Sequence, residues 1–148
     1  MAGTAIPAPT LAYQFAGHVP DYAIPKTPVP EGLSAPTVAG DAARGQKTYS
    51  SSACIGCHAI AGNPMSVGNV GPNLTHVGSR LTIGAGLYPN DAKHLALWIK
   101  NARMMKPGSQ MPTLGKNQKD PITGQVVTVG GLDDQQIADI VAYLQALK

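Results

Sequence analysis

The sequence predicts an all-α domain of three main helices joined by long irregular loops, preceded by a Pro-rich extended segment. Apolar residues recur at helical spacing in three places, each after a start signal, while the connecting stretches are rich in Gly, Pro and Asn. The side-chain core is also thin. The chain has 148 residues but only one Phe and one Trp, so a large apolar group is expected to supply part of the interior.

Residues 1–40 hold seven of the thirteen prolines, and "IPKTPVPEGLSAPT" reads as an extended, polyproline-like linker. Tyr13, Phe15 and Tyr22 are more aromatic than a pure spacer needs. Two expectations therefore stand: a tether, or a strap laid along the domain or a neighbouring subunit. At Asp41 the pattern changes. "DAARGQKTYSS" reads as a helix capped by Asp41, with Gly45 and Tyr49 on one face. The missing side chain at Gly45 invites a second helix to cross closely, with Tyr143 the candidate to pack there.

That second helix is the C-terminal one. Asp133 and Gln136 make a capping box, and Leu132 and Ile137 stand as a hydrophobic staple. Ile137, Ile140, Val141, Leu144 and Leu147 follow an i, i+3, i+4, i+7 stripe. A third helix is expected from Asn90, as N-cap, to about Met104, with Leu95, Trp98, Ile99, Ala102 and Met105 on one side. Residues 59–89 read mostly as loop. Residues 115–131 read as an excursion with a small β-hairpin around Ile122–Gly124 and "QVVTV" as one strand.

Composition excludes several classes. No run of about 18 apolar residues exists, so no membrane span is expected. No charged start with an apolar h-region is present, which implies a signal peptide removed or replaced. Residues 41–148 carry ten Lys/Arg against six Asp, a mild basic excess that suits an acidic protein partner rather than nucleic acid. The two cysteines are three positions apart and cannot build a disulfide framework.

Those cysteines lie in "CIGCH", Cys54 to His58, which is the attachment pattern for a c-type haem. Two thiols add across the two vinyl groups of one haem, and the next residue then lies beneath the iron. Cys54 and Cys57 would hold the thioethers, and His58 would bind iron through Nε2. A structural zinc site needs about four ligands, and too few are present. A dithiol redox site would want a thioredoxin-like βαβ setting, which the pattern lacks. His18, His76 and His94 remain possible sixth ligands in principle.

Taken in order, the helix with Gly45 and Tyr49, "CIGCH", "GPNL" (71–74), a methionine before proline, and the C-terminal helix with Tyr143 resemble a class I cytochrome c over residues 41–148. "VGPNLTHVGSR", "LYPNDAKHLALWI" and "KPGSQMP" resemble most the cytochrome c domain fused to subunit II of caa-type haem–copper oxidases. The cysteine-rich copper motif of that subunit is absent, and the 115–131 excursion is longer than in that subgroup. Either an excised domain or a separate monohaem cytochrome therefore fits.

The resemblance implies roles. The Pro72 carbonyl should accept a hydrogen bond from His58 Nδ1–H, and Leu74 should pack on the haem face. Arg80, Tyr88 and Trp98 are candidates to meet the haem propionates, Arg80 foremost because a buried carboxylate needs a charged partner. Trp98 could equally be plain core.

Three methionines compete for the sixth position on iron. Met105 falls on the helix stripe, so core packing is its default, and Met104 lies on a more mixed face. Met111 stands in an open segment and is held extended by Pro112, so its loop can reach the distal face. The family pattern agrees on Met111. With His58 and Met111 both bound, one-electron transfer is the expected function, delivered to a terminal oxidase or similar membrane complex, and the domain itself would not be an enzyme. A quinol-oxidising complex is an alternative host. Two further alternatives stay open: a ligand-binding haem enzyme or sensor in which Met111 leaves the iron, and a chiefly structural domain. Lys100, Arg103 and Lys106 could flank the haem edge and steer an acidic donor. Haem attachment of this kind implies a periplasmic or otherwise extracytoplasmic site.

Overall fold

A computed structural model describes residues 25–148, so the expectations for Tyr13, Phe15, His18 and Tyr22 lie outside the described residues. Helix α1 runs Ala42–Ser50, and Asp41 caps it by accepting from Arg44 N at 2.8 Å. The single turn α2 is Cys54–Cys57. A 3₁₀ turn at Val77–Ser79 leads into an antiparallel pair, β1 (Thr82–Ile83) and β2 (Tyr88–Pro89), with Thr82 opposite Pro89 and Ile83 opposite Tyr88. Helix α3 is Ala92–Met105 and α4 is Asp134–Ala146. The fold is mainly helical, as expected, and none of the described helices is long and apolar enough to cross a membrane.

The crossing of α1 over α4 organises the domain. A Cβ on Gly45 would overlap the Asp139 carbonyl, so only glycine lets the two backbones approach this closely. Tyr143 does not fill that spot. It packs on Tyr49, ring centroids 5.6 Å apart, one turn further along. Beside the crossing, Arg44 grips the buried Asp139 through two bonds of 2.9 and 2.8 Å, and Asp41 N adds a third at 2.7 Å. The capping box of α4 is present: Gln136 N donates to the Asp133 carboxylate at 2.8 Å, and Asp133 N donates to the Gln136 side chain at 3.0 Å.

Three expectations are corrected. Helix α3 is capped by Asp91, whose carboxylate accepts from His94 N at 2.8 Å. Asn90, one residue earlier, instead donates to the carbonyls of Val77 and Arg80 and ties the 3₁₀ turn to the hairpin. The regular two-stranded sheet lies at 82–89, inside a stretch read as loop. The 115–131 excursion does fold back, with Val127 N donating to Gln118 O and Asp120 N to Gln125 O. It is paired only at Lys119 and Val126, because Asp120 caps its turn and replaces ladder bonds with side-chain ones.

Residues 25–40 form a strap. Leu33 is buried with Tyr88, Leu97 and Met105, Lys100 Nζ donates to Ser34 O at 3.1 Å, and Gln135 donates to Ala39 O at 2.8 Å.

The Arg44 hydrogen bond holds the Asp139 carboxyl down to about 2 from its ordinary 3.8, against the opposing effect of burial. The folded pKa lies below the unfolded one, so this contribution is complete above about pH 4 and fades as pH falls toward 2. Asp139→Asn is therefore expected to lower stability at neutral pH and to flatten the stability–pH curve across that acid window, as read by denaturant titrations at stepped pH.

Candidate haem site

Cys54 is buried and Cys57 half-buried on the single turn α2, and both are free thiols. Burial pushes the Cys54 thiol above its ordinary pKa. His58 ends the turn in an extended conformation, φ −116° and ψ 146°, with its N–H on Cys54 O at 2.9 Å. Its Nδ1 lies 2.7 Å from the Pro72 carbonyl. A carbonyl can only accept, so Nδ1 carries a proton, and in the neutral ring Nε2 then holds the lone pair a metal would bind. A Cβ on Gly71 would overlap the imidazole, so the glycine lets the 70–72 backbone lie against the ring.

The backbone of His58 is held as firmly. Ser66 Oγ donates to His58 O at 2.7 Å, and Gly68 N reaches the same oxygen at 3.2 Å. With its proton so used, Ser66 accepts from the buried Tyr49 hydroxyl at 3.0 Å. Burial pushes Tyr49 up to about 12, so it stays a donor.

Cys57, His58, Pro72 and Leu74 form part of the wall of a cavity of about 640 Å³. The rest comes from Leu95, Trp98 and Ile99 of α3, Leu144 of α4, the hairpin at 83–86 and the loop 106–112 with Met111. That volume falls in the usual range of cofactor sites, roughly 300–1,000 Å³. A free imidazole nitrogen, one thiol in the wall with a second on the same turn, a thioether in the wall and an apolar lining fit a covalently attached haem. A crevice of about 900 Å³ between the strap and helices α3 and α4 has no Cys, His or Met in its lining and offers none of this chemistry.

A cytochrome c family model matches residues 42–148. The chain belongs to the cytochrome c family. Cytochrome c oxidase subunit 2 of Alkalihalophilus pseudofirmus is 28% identical over 105 residues, which are 71% of this chain and 25% of that protein. The chain thus spans about a quarter of that relative's length. Among solved structures, SoxXA from P. pantotrophus aligns with a TM-score of 0.55 at 27% identity, covering 76% of this chain and 85% of that one. Cytochrome c2 from Paracoccus denitrificans aligns at 21% identity and a TM-score of 0.39, over 71% of this chain and 93% of that one. Cytochrome c domains carry a covalent haem c and generally act as electron carriers.

Of the residues named for this cytochrome's site, the cavity brings together Cys57, His58, Pro72, Leu74, Arg80, Trp98 and Met111, with Cys54 on the same turn as Cys57. Arg80 is exposed at the cavity and its guanidinium donates to Asn73 O. Tyr88 is not brought there. It is buried in a second apolar cluster, separate from the main core, with Leu33, Leu97 and Met105, and its hydroxyl donates to Met105 O at 2.7 Å because β2 turns it toward the strap side. His76 bonds the Lys148 carbonyl, and His94 stacks on Tyr88 beside Asp91. Neither histidine lines the cavity.

Two of the three cations expected to ring the haem edge are occupied elsewhere. Lys100 is buried and donates to Asp134 at 2.7 Å, and Arg103 donates to Asp120 at 2.7 Å. Lys106 alone of the three lines the cavity.

The methionines separate. Met111 lines the cavity, whereas Met104 and Met105 pack in the second cluster with Leu33, Tyr88 and Leu97. Met105 is buried, as its place on the helix stripe predicts. Helix α3 loses regular geometry at Asn101, φ −155° and ψ 78°, just before these two methionines. Asn101 was also missed as a site residue. It is fully buried, its side-chain oxygen accepts from Thr113 Oγ1 at 3.0 Å and Met104 N at 3.1 Å, and its amide donates to Lys119 O at 3.1 Å. Thr113 lies two residues after Met111, so this amide anchors the Met111 loop. The one available signal was a poor helix former inside an otherwise good helix.

Asn101→Ala leaves these partners unmatched in a dry interior. It is expected to cost about 1–3 kcal/mol in chemical denaturation, and to raise amide hydrogen exchange across residues 107–113 more than in α1.

Proposed function

We propose that this chain is a one-electron carrier with a single haem c held by thioethers at Cys54 and Cys57 and ligated by His58 and Met111. Residues 41–148 would be the haem domain, and the contacts of Leu33, Ser34 and Ala39 favour a strap over a free tether for residues 25–40. The observation that carries this reading is the pairing of a free His58 Nε2 with the Met111 thioether in the walls of one cavity. A haem bound there supplies reversible one-electron chemistry at its iron.

The chain's own residues do the rest. Cys54 and Cys57 would hold the haem, each S–H adding across one vinyl C=C, with sulfur to one carbon and hydrogen to the other. The Pro72 carbonyl keeps the imidazole oriented and electron-rich toward the metal. Leu74, Leu95, Ile99 and Leu144 exclude water, and burial with a sulfur ligand favours the ferrous state. Arg80 and Trp98, both in the cavity wall, would meet the propionates. Two protein ligands leave no vacant position for substrate, which favours electron transfer over ligand chemistry. The likeness to cytochrome c oxidase subunit 2 supports delivery to a terminal oxidase or similar membrane complex, and hence an extracytoplasmic location.

The ferric protein is expected to show a methionine-to-iron charge-transfer band in the red, and the ferrous protein to resist carbon monoxide at neutral pH. Met111→Ala should lose the band and admit carbon monoxide. Rapid carbon monoxide binding by the unmodified protein would instead identify a ligand-binding enzyme or sensor. Met105→Ala is expected to leave both spectra intact and to cost about 2–5 kcal/mol of stability, as a truncation in a packed cluster does.

A further inference from the structure

The loop that covers the CIGCH turn is built inside out. Its polar side chains are buried: Asn63 is 7% exposed and Ser66 only 2%, while Met65, Val67 and Val70 are 58%, 76% and 75% exposed. Exposed apolar residues scattered singly mean little, but buried polar groups beside a cluster of exposed apolar ones call for a cause. The inversion is fixed by hydrogen bonds. Asn63 donates to Ser50 Oγ at 3.0 Å and accepts from Met65 N at 3.1 Å, and Ser66 is locked between Tyr49 and the His58 carbonyl. Backbone bonds from Ile60 N to Ser66 O and from Gly68 N to Ile55 O tie the loop to itself and to the turn bearing the cysteines.

This surface adjoins the cofactor cavity. Val70 is part of the cavity wall that includes Cys57 and His58, and a Cβ on Gly68 would overlap the Cys57 backbone. It is also free of charge. From Thr48 to Ser79 the chain has no Asp, Glu, Lys or Arg, although 13% of its residues are charged. Arg44, Lys100 and Arg103 are each paired with an aspartate, Asp139, Asp134 and Asp120, while Arg80 and Lys106 line the cavity outside this loop.

We propose that residues 59–73 form the docking face for a redox protein whose own surface around its metal centre is apolar and uncharged. This rests on the electron-carrier reading above. A charged partner surface would lose hydration against Met65, Val67 and Val70 and find no counter-charge, whereas an apolar one gains from the same contact. One electron passes from ferrous iron to the partner's oxidised metal centre, leaving ferric iron here and a reduced metal there, with no bond made or broken. Association governed by apolar contact is nearly independent of salt, since there is little Coulomb attraction to screen.

The test uses the full holo chain on gold coated with methyl-terminated or carboxylate-terminated alkanethiol monolayers as stand-ins for the two kinds of partner. A reversible one-electron signal is expected on the methyl surface, persisting from low to high ionic strength. Met65→Ser combined with Val67→Ser should cut that signal at least about tenfold while leaving the optical spectrum unchanged. A signal confined to the carboxylate surface and abolished by salt would overturn the proposal, as would an unchanged signal from the double variant. Sedimentation of the unmodified chain as a dimer that the double variant abolishes would reassign the face to self-association. A methyl-surface signal that emerges only when residues 1–24 are removed would reassign it to the N-terminal segment. Absence of a reversible signal on either surface and in solution would reject the electron-carrier reading itself.

Discussion

The orientation of one imidazole ring constrains the rest of this domain. His58 must leave its helical turn, place Nδ1 on the Pro72 carbonyl and keep Nε2 free toward the cavity. Each condition recruits a different part of the chain. The turn sets the ring beside the cysteines, Gly71 clears space for it, and the Tyr49–Ser66 relay pins the carbonyl behind it. Tyr49 in turn stands on α1, whose position depends on the close crossing at Gly45 and the Arg44–Asp139 clamp. A helix–helix contact far along the sequence thus fixes the aim of a nitrogen at the site.

The other wall is governed by a break in regularity. Helix α3 departs from helical geometry at Asn101, whose side-chain oxygen anchors Thr113, while Met104 and Met105 beyond it pack in the strap-side cluster. One buried amide therefore separates packing methionines from the methionine that lines the cavity.

Charge is arranged on the same principle. The cations that appear available in a linear reading are spent on joining elements: Arg44 joins α1 to α4, Lys100 joins α3 to α4 and the strap, and Arg103 joins α3 to the 115–131 excursion. The segment from Thr48 to Ser79 around the cysteine turn carries no charged residue, and Arg80 and Lys106 line the cavity beside it. Counting lysines and arginines overestimates the cations free to meet a partner, because a salt bridge between distant segments leaves no trace in local sequence.

Local signals were legible because their physics is local. Helix caps, the capping box, the CIGCH spacing and the extended conformation before Pro112 each depend on residues a few positions apart. They carried the helical class, the three main helices and His58 beside the cysteines, while Pro72 and Leu74 were named through the resemblance to class I cytochromes c, and Met111 through that resemblance and its open loop together. The start of α3 was misplaced by one residue because Asn90 and Asp91 are both good caps, and only the distant carbonyls of Val77 and Arg80 draw Asn90 away. Tyr88 was misassigned because which face a short strand turns inward depends on what covers it, here Leu33 of the strap. By itself the sequence determined which side chains could perform the chemistry. Only the tertiary structure decided which of them share a cavity, since burial and long-range hydrogen bonds are properties of the packed chain.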